Sequence, residues 1–245
     1  MSVGACAEIV ARGDPDRFAS AMTAPLSLRG DLMVLYAFNL SVAKAPWVTS
    51  EPMLAEMRMQ WWCDALDEIY TGKIPRSHEV VLPLAALIRR ADLPRAVFDT
   101  LIEARRGDIY PRPPPDWGAV WRYLGATGGG LMQLAALASS AAEPWVKEAH
   151  TFGTVSGAAN LIQALPELEA TGRQPLPQPG AGPELAAQAL ARIRPLRVPR
   201  SARPAFAAGW RCRAVLRRAT SGRDVRGSEF SRRWNLLWVT LTGRF

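Results

Sequence analysis

The sequence predicts an all-α fold. Apolar residues recur at three- and four-residue spacing through most of the chain, no alternating run lies between hairpin turns, and prolines and capping residues stand where the periodic stretches start and stop.

Asp14-Pro15-Asp16 opens the first helix with a capping carboxylate and a proline in the first turn, and Pro25 closes it. A second helix covers about Ser27–Lys44 through the apolar LMVLYAFNL and fails by Pro46. The third runs from about Pro52 to Tyr70, with Met53, Met57, Trp61 and Ala65 on one face and Thr71-Gly72 as its stop. Helices are also expected over Glu79–Ala91, Pro94–Ile109, Trp117–Ser140 and Pro144–Leu165. YPRPPPD at 110–116 cannot be helical, and a second Pro/Gly-rich segment, Gln174 to Pro183, precedes a C-terminal region that begins near Glu184. That region ends in a helix capped by Ser228, whose Phe230, Trp234, Leu237, Trp238 and Leu241 form one apolar stripe.

With 245 residues, 49% hydrophobic and 21% charged, the chain has the material for a sizeable core and reads as one domain over 1–245, with residues 184–245 as its basic C-terminal helices. Cys6, Cys63 and Cys212 are too scattered to signal a disulfide framework or a zinc site, which suits a reducing compartment. The N-terminus lacks a basic flank followed by an apolar run, and the longest apolar stretch, Leu131 to Ala142, is too short to span a bilayer. The expected location is therefore the cytoplasm, or the periphery of the inner membrane. Charge is uneven: Arg192 to Phe245 carries 14 Arg against Asp224 and Glu229, a net of +12, which leaves −4 for the rest of a chain whose total is +8. Either this is a solvated helix surface, or it meets an acidic partner such as an anionic membrane surface; nucleic acid is disfavoured because no binding motif accompanies the arginines.

The order of the remaining landmarks resembles the squalene/phytoene synthase family, and within it the mitochondrial and alphaproteobacterial assembly-factor-like branch. These landmarks are Phe18, Pro25 and Arg29 ahead of Tyr36-Ala37-Phe38; Arg58-Met59-Gln60-Trp61-Trp62; Leu93-Pro94 leading to Asp108; Tyr123 with Gly128-Gly129-Gly130; and Gly172-Arg173 before Leu176-Pro177. The resemblance implies an isoprenoid-synthase-like helical bundle. It also implies a reaction, the head-to-head joining of prenyl diphosphates, in which Mg²⁺ held by two facing D-x-x-x-D motifs neutralises the departing pyrophosphate. Carboxylates four apart share a helix face, so the spacing is a requirement of geometry.

This chain departs from that pattern at both motifs. The first falls on Ala43, Lys44 and Trp47, with Pro46 breaking the helix and Leu40 where an arginine is expected. Counting back from Leu176-Pro177, the second matches Asn160 but puts Ala164 and Leu168 at the two aspartates. Glu167 and Glu169 lie one residue away, and one helical step turns a side chain by about 100°. Methyl, isobutyl and indole groups do not ligate magnesium, and one ammonium at Lys44 does not replace a metal cluster. No cofactor is expected, and Mg²⁺ enters only if the chain is an enzyme after all.

Other chemistry-bearing residues have plainer readings. Asp64, Asp67 and Glu68 suit a solvated helix face better than a metal site, and Asp108 after Arg105-Arg106 suits ion pairing. The triple glycine follows no strand and points to close helix packing, while His78 and His150 have no ligand spacing. Tyr36, Phe38, Trp61, Trp62 and Tyr123 either pack the core or line a prenyl-sized cavity; with Arg58, Asp108, Asn160 and Arg173 they are the pocket candidates. Two functions follow. The first, implied by the resemblance, is a non-catalytic binding or assembly factor for respiratory complex I, acting on an assembly partner and with room for an isoprenoid or lipid ligand. The second is a squalene or phytoene synthase-type prenyltransferase with rearranged ligands, whose remaining acids would be Asp64, Glu68, Asp108 and Glu167.

Overall fold

The computed structural model describes residues 3–49, 51–110 and 112–245. Among them the all-α expectation holds: helices account for the architecture, and the one β-type pairing is an isolated bridge between Arg197 and Arg244. In chain order the helices are α1 (Val3–Gly13), α2 (Pro15–Met22), α3 (Leu26–Lys44), α4 (Pro52–Tyr70), α5 (Val81–Ala91), α6 (Arg95–Arg106), α7 (Trp117–Leu124), α8 (Gly130–Ala138), α9 (Glu143–Ala170), α10 (Gly182–Arg192), α11 (Arg203–Phe206), α12 (Cys212–Thr220) and α13 (Glu229–Thr242). No described helix is long and apolar enough to cross a membrane.

Asp14 caps α2 as its sequence promised, accepting the Arg17 N–H with Pro15 in the first turn. In α3 every residue from Leu32 to Leu40 is buried, so the helix is apolar on all sides and forms the centre of the bundle. Around it lie α1, α2, α5, α6 and α8, and α8 in turn packs on the 28-residue α9, about 42 Å long. Phe38 anchors this core, edge-on to Trp62 at 5.3 Å and to Phe98 at 5.2 Å.

Several expectations need correction. The segment before Asp14 is helical, because Cys6 and Val10 give α1 a buried seam. α4 has the expected bounds and buries Ala55, Met59, Trp62, Ala65, Leu66 and Ile69; of the face expected to be apolar, Ala65 is buried and Trp61 packs against the core, whereas Met53 and Met57 in the first turns face solvent. The helix expected over Trp117–Ser140 is broken by a single π turn at Gly125–Gly129. α9 continues through Pro166 to Ala170: proline there removes one ladder donor near the helix end, and Thr171 and Arg173 N–H groups still close the last turn on Glu167 and Leu168 carbonyls. The helices expected over 184–245 are α10, α11, α12 and α13.

Cys6 and Cys212 are buried and Cys63 is half-buried. Burial pushes the Cys6 thiol up to about 11 and the Cys212 thiol up to about 12, and it also raises that of Cys63, which lies 3.9 Å from an Arg106 nitrogen. Ellman's reagent at pH 7.5 is therefore expected to titrate less than one thiol in minutes, and all three once guanidinium is added. Fast native labelling of Cys212 would mean that α12 opens readily.

Candidate functional site

A cavity of about 920 Å³ lies between α3, the end of α6, α7 and α9, closed at one side by the turn before α12. Two of its walls are built on four-residue spacing. Asn39, Ala43 and Trp47 look in from α3 and the 3₁₀ turn after it, and Asn160, Ala164 and Leu168 look in from α9. Ala43, Trp47, Ala164 and Leu168, the four positions at which the resemblance implies carboxylates, thus face one space from two sides.

The carboxylates that do line the cavity are Asp14, Asp16, Asp108 and Glu167. Asp14 pairs with Arg17 at 2.8 Å, and Asp16 with Arg211 at 2.5 Å and Arg232 at 2.6 Å. Asp108 accepts from Arg105 at 3.2 Å and from the Tyr123 hydroxyl at 2.9 Å. Three of the four are therefore already neutralised by guanidinium groups, and Glu167 is exposed on the helix end. Hard-cation sites need several carboxylate oxygens converging on one point. The residues present do not fit the magnesium cluster that the resemblance implies, and the described residues nowhere gather three or more His, Cys, Asp or Glu into one potential ligand set.

In place of the metal ligands the cavity has a cationic, aromatic rim. The Arg173 guanidinium stacks on Trp47 at 4.2 Å and also donates to the Asp108 carbonyl, tying the segment after α9 to the end of α6. Lys44 and Arg112 are exposed along the same lining. Deeper in, Arg105 donates to the Tyr123 hydroxyl and sits over its ring at 5.3 Å, and burial holds that hydroxyl well above the ordinary phenol range. The Ser156 hydroxyl and the Arg105 Nε are buried in the lining without a hydrogen-bond partner among the described residues.

Of the pocket candidates, Asp108, Tyr123, Asn160 and Arg173 line this cavity. Tyr36, Phe38, Arg58, Trp61 and Trp62 do not. Tyr36 and Phe38 lie on the faces of α3 that enter the core, where burial raises the Tyr36 hydroxyl far above its usual range. Trp61 packs against Trp62 and His78, each at 5.0 Å, beneath the Arg76 guanidinium, and Arg58 is exposed on α4. Sequence reasoning missed the α12 side of the cavity, Trp210 and Arg211, because only the chain's return past α2 brings it there.

The acids on α4 are engaged elsewhere: Glu68 pairs with Arg76 at 2.6 Å, Asp67 with Arg95 at 2.5 Å, and Asp64 accepts from Gln60 at 2.8 Å. The triple glycine lets α9 approach the π turn, since a Cβ on Gly128 would lie 2.7 Å from the Gly153 carbonyl oxygen.

Comparison with known proteins gives three results. The family model for squalene/phytoene synthase matches residues 10–181. The "NADH dehydrogenase (ubiquinone) complex I, assembly factor 6" of Bos taurus is 27% identical over 104 residues and that of Homo sapiens 24% over 104 residues, in each case 42% of this chain and 31% of the relative; the matched stretch is thus about a third of those proteins' length. In three dimensions the chain resembles a dehydrosqualene synthase at a TM-score of 0.78 and 14% identity, covering 97% of this chain and 94% of that one. A squalene synthase from Alicyclobacillus acidocaldarius gives a TM-score of 0.66 at 16% identity, covering 98% and 94%.

Proposed function

The chain belongs to the squalene/phytoene synthase family, and we propose that it serves there as a binding and assembly protein, holding a lipid or isoprenoid tail in its cavity without turning it over. The observation that carries this reading is the pair of facing walls on which Ala43, Trp47, Ala164 and Leu168 stand where the family's chemistry needs carboxylates. Ionising an allylic diphosphate requires its leaving charge to be neutralised as it develops, and side chains without oxygen donors cannot gather divalent metal there. A rim of Lys44, Arg112 and Arg173 suits the opposite task, static binding of an anionic head group with no cofactor.

Similarity to the mammalian complex I assembly factors supports a role in building that respiratory complex, with the partner among its assembling subunits or the factors that tend them. Deleting the gene in its source cell is expected to lower assembled, NADH-oxidising complex I, with recovery on supplying the wild-type chain. Unchanged complex I in the deletion would end the assembly reading. The competing reading, a head-to-head prenyltransferase with relocated ligands, draws on family membership and on Glu167, the one lining carboxylate without an ion-pair partner among the described residues.

A further inference from the structure

The C-terminal helix α13 is mounted inside out. It docks on the body through its polar side: Arg232 pairs with Asp16, the Asn235 amide donates to the Trp210 carbonyl at 2.7 Å, and Val239 is its one buried residue. Its apolar stripe faces solvent, with Phe230, Trp234, Leu237, Trp238 and Leu241 between 47% and 78% exposed. At 100° per residue these five fall within an arc of about 100°, and Arg233, with its side chain 82% exposed, flanks one edge. A monomeric protein rarely leaves such a patch to water without a use for it.

Beside the stripe lies a second cleft, of about 490 Å³, to which α13 contributes Ser231, Arg232, Asn235, Trp238 and Val239. Among the described residues seven arginines line it and no Asp or Glu does. Arg211 and Arg232 are held by Asp16; Arg213 donates to the Phe245 oxygen at 3.2 Å, Arg218 to the Asp224 carbonyl at 2.7 Å, and the Arg226 N–H to the Asp224 carboxylate at 3.0 Å, while the Arg217, Arg226 and Arg244 side chains form no salt bridge among the described residues. Arginines grouped along one cleft with so little counter-charge suit phosphate oxygens.

We propose that α13 and this cleft together dock the protein on an anionic phospholipid bilayer, the Trp/Phe/Leu stripe entering the interface and the arginines taking lipid phosphates. The two features are contiguous through Trp238, and a Trp-bearing stripe flanked by arginine is the chemistry of an interfacial helix. A second copy of the chain is a poor occupant, because pairing through α13 would bring two segments of net +12 face to face. The cleft adjoins the central cavity, with Gly209, Trp210 and Arg211 as their common wall, but its use does not depend on whether that cavity is catalytic.

The test is co-sedimentation of the full chain with vesicles of phosphatidylcholine alone or with about a third phosphatidylglycerol. Binding is expected on the anionic vesicles, at least tenfold tighter than on the neutral ones, since each arginine near an anionic leaflet is worth about fivefold. The variant Phe230→Ser/Trp234→Ser/Trp238→Ser, altered only at exposed positions, is expected to lose at least tenfold with its melting temperature unchanged, and Arg217→Gln/Arg244→Gln to lose the preference for phosphatidylglycerol. The proposal is overturned if the wild type ignores anionic vesicles, or if the stripe variant binds them as the wild type does. It is overturned equally if the stripe variant turns a solution dimer into a monomer with no vesicle binding in either form. Stabilisation by inorganic pyrophosphate without vesicle binding would show a soluble-anion site and likewise overturn it.

Discussion

Gly153→Val is expected to destabilise the fold by about 3 kcal/mol and to lower the melting temperature by about 10 °C. A Cβ at residue 153 would stand 2.6 Å from the Gly128 carbonyl oxygen, 2.7 Å from Met132 Cβ and 3.1 Å from Gly129 Cα, so the obstacle is largely backbone and has no rotamer to yield. The strain falls where α9 meets the π turn, and α9 carries one wall of the cavity; ligand binding should weaken along with stability. Gly107→Ala is the control, because a Cβ there meets nothing within 4 Å and the backbone is right-handed. Thermal melts of the two variants check the prediction, and equal melting temperatures would contradict the packing described for α9.

Asp108→Ala is expected to cost about 2 kcal/mol while strengthening the cavity's hold on anions. The carboxylate answers both Arg105 and the Tyr123 hydroxyl, and removing it leaves the guanidinium without its counter-charge and the buried hydroxyl without its acceptor. The pair is about one-fifth exposed, so the cost stays below that of a fully buried ion pair. Once released, Arg105 adds a cation to the lining, and an anionic lipid should bind several-fold more tightly to the variant. Chemical denaturation and a lipid-binding titration read the two effects separately; a variant that lost affinity along with stability would show Asp108 to be part of the ligand's own contact surface.

How far the sequence reveals this molecule depends on how local the controlling interaction is. The bounds of α4, the Asp14 and Ser228 caps and the stop at Thr71-Gly72 are set by neighbours a few residues away, and they are legible in the chain. The same holds for the four-residue spacing that brings Ala43 to one wall and Ala164 and Leu168 to the other, since helical phase alone fixes which positions share a face. What sequence reasoning could not supply is tertiary. It could not tell that Met53 and Met57 at the start of α4 stay in solvent while Trp61 and Ala65 of the same face meet the core, because helical spacing is the same along the whole stripe. Nor could it foresee Arg173 stacked on Trp47, from segments 126 residues apart, or the return of α12 and α13 to Asp16. The apolar stripe of α13 was visible as a stripe, but its outward direction depends on Asn235 and Arg232 finding partners on the body.

A cavity with Ala43, Trp47, Ala164 and Leu168 on its facing walls is expected to bind a prenyl diphosphate without ionising it. The most direct measurement is pyrophosphate release by the purified chain from farnesyl and geranylgeranyl diphosphate, with and without magnesium, alongside an authentic synthase. No release above background is expected under any of these conditions, whereas magnesium-dependent turnover abolished by substituting Asp108 or Glu167 would show that other acids hold the metal and that this chain is a prenyltransferase.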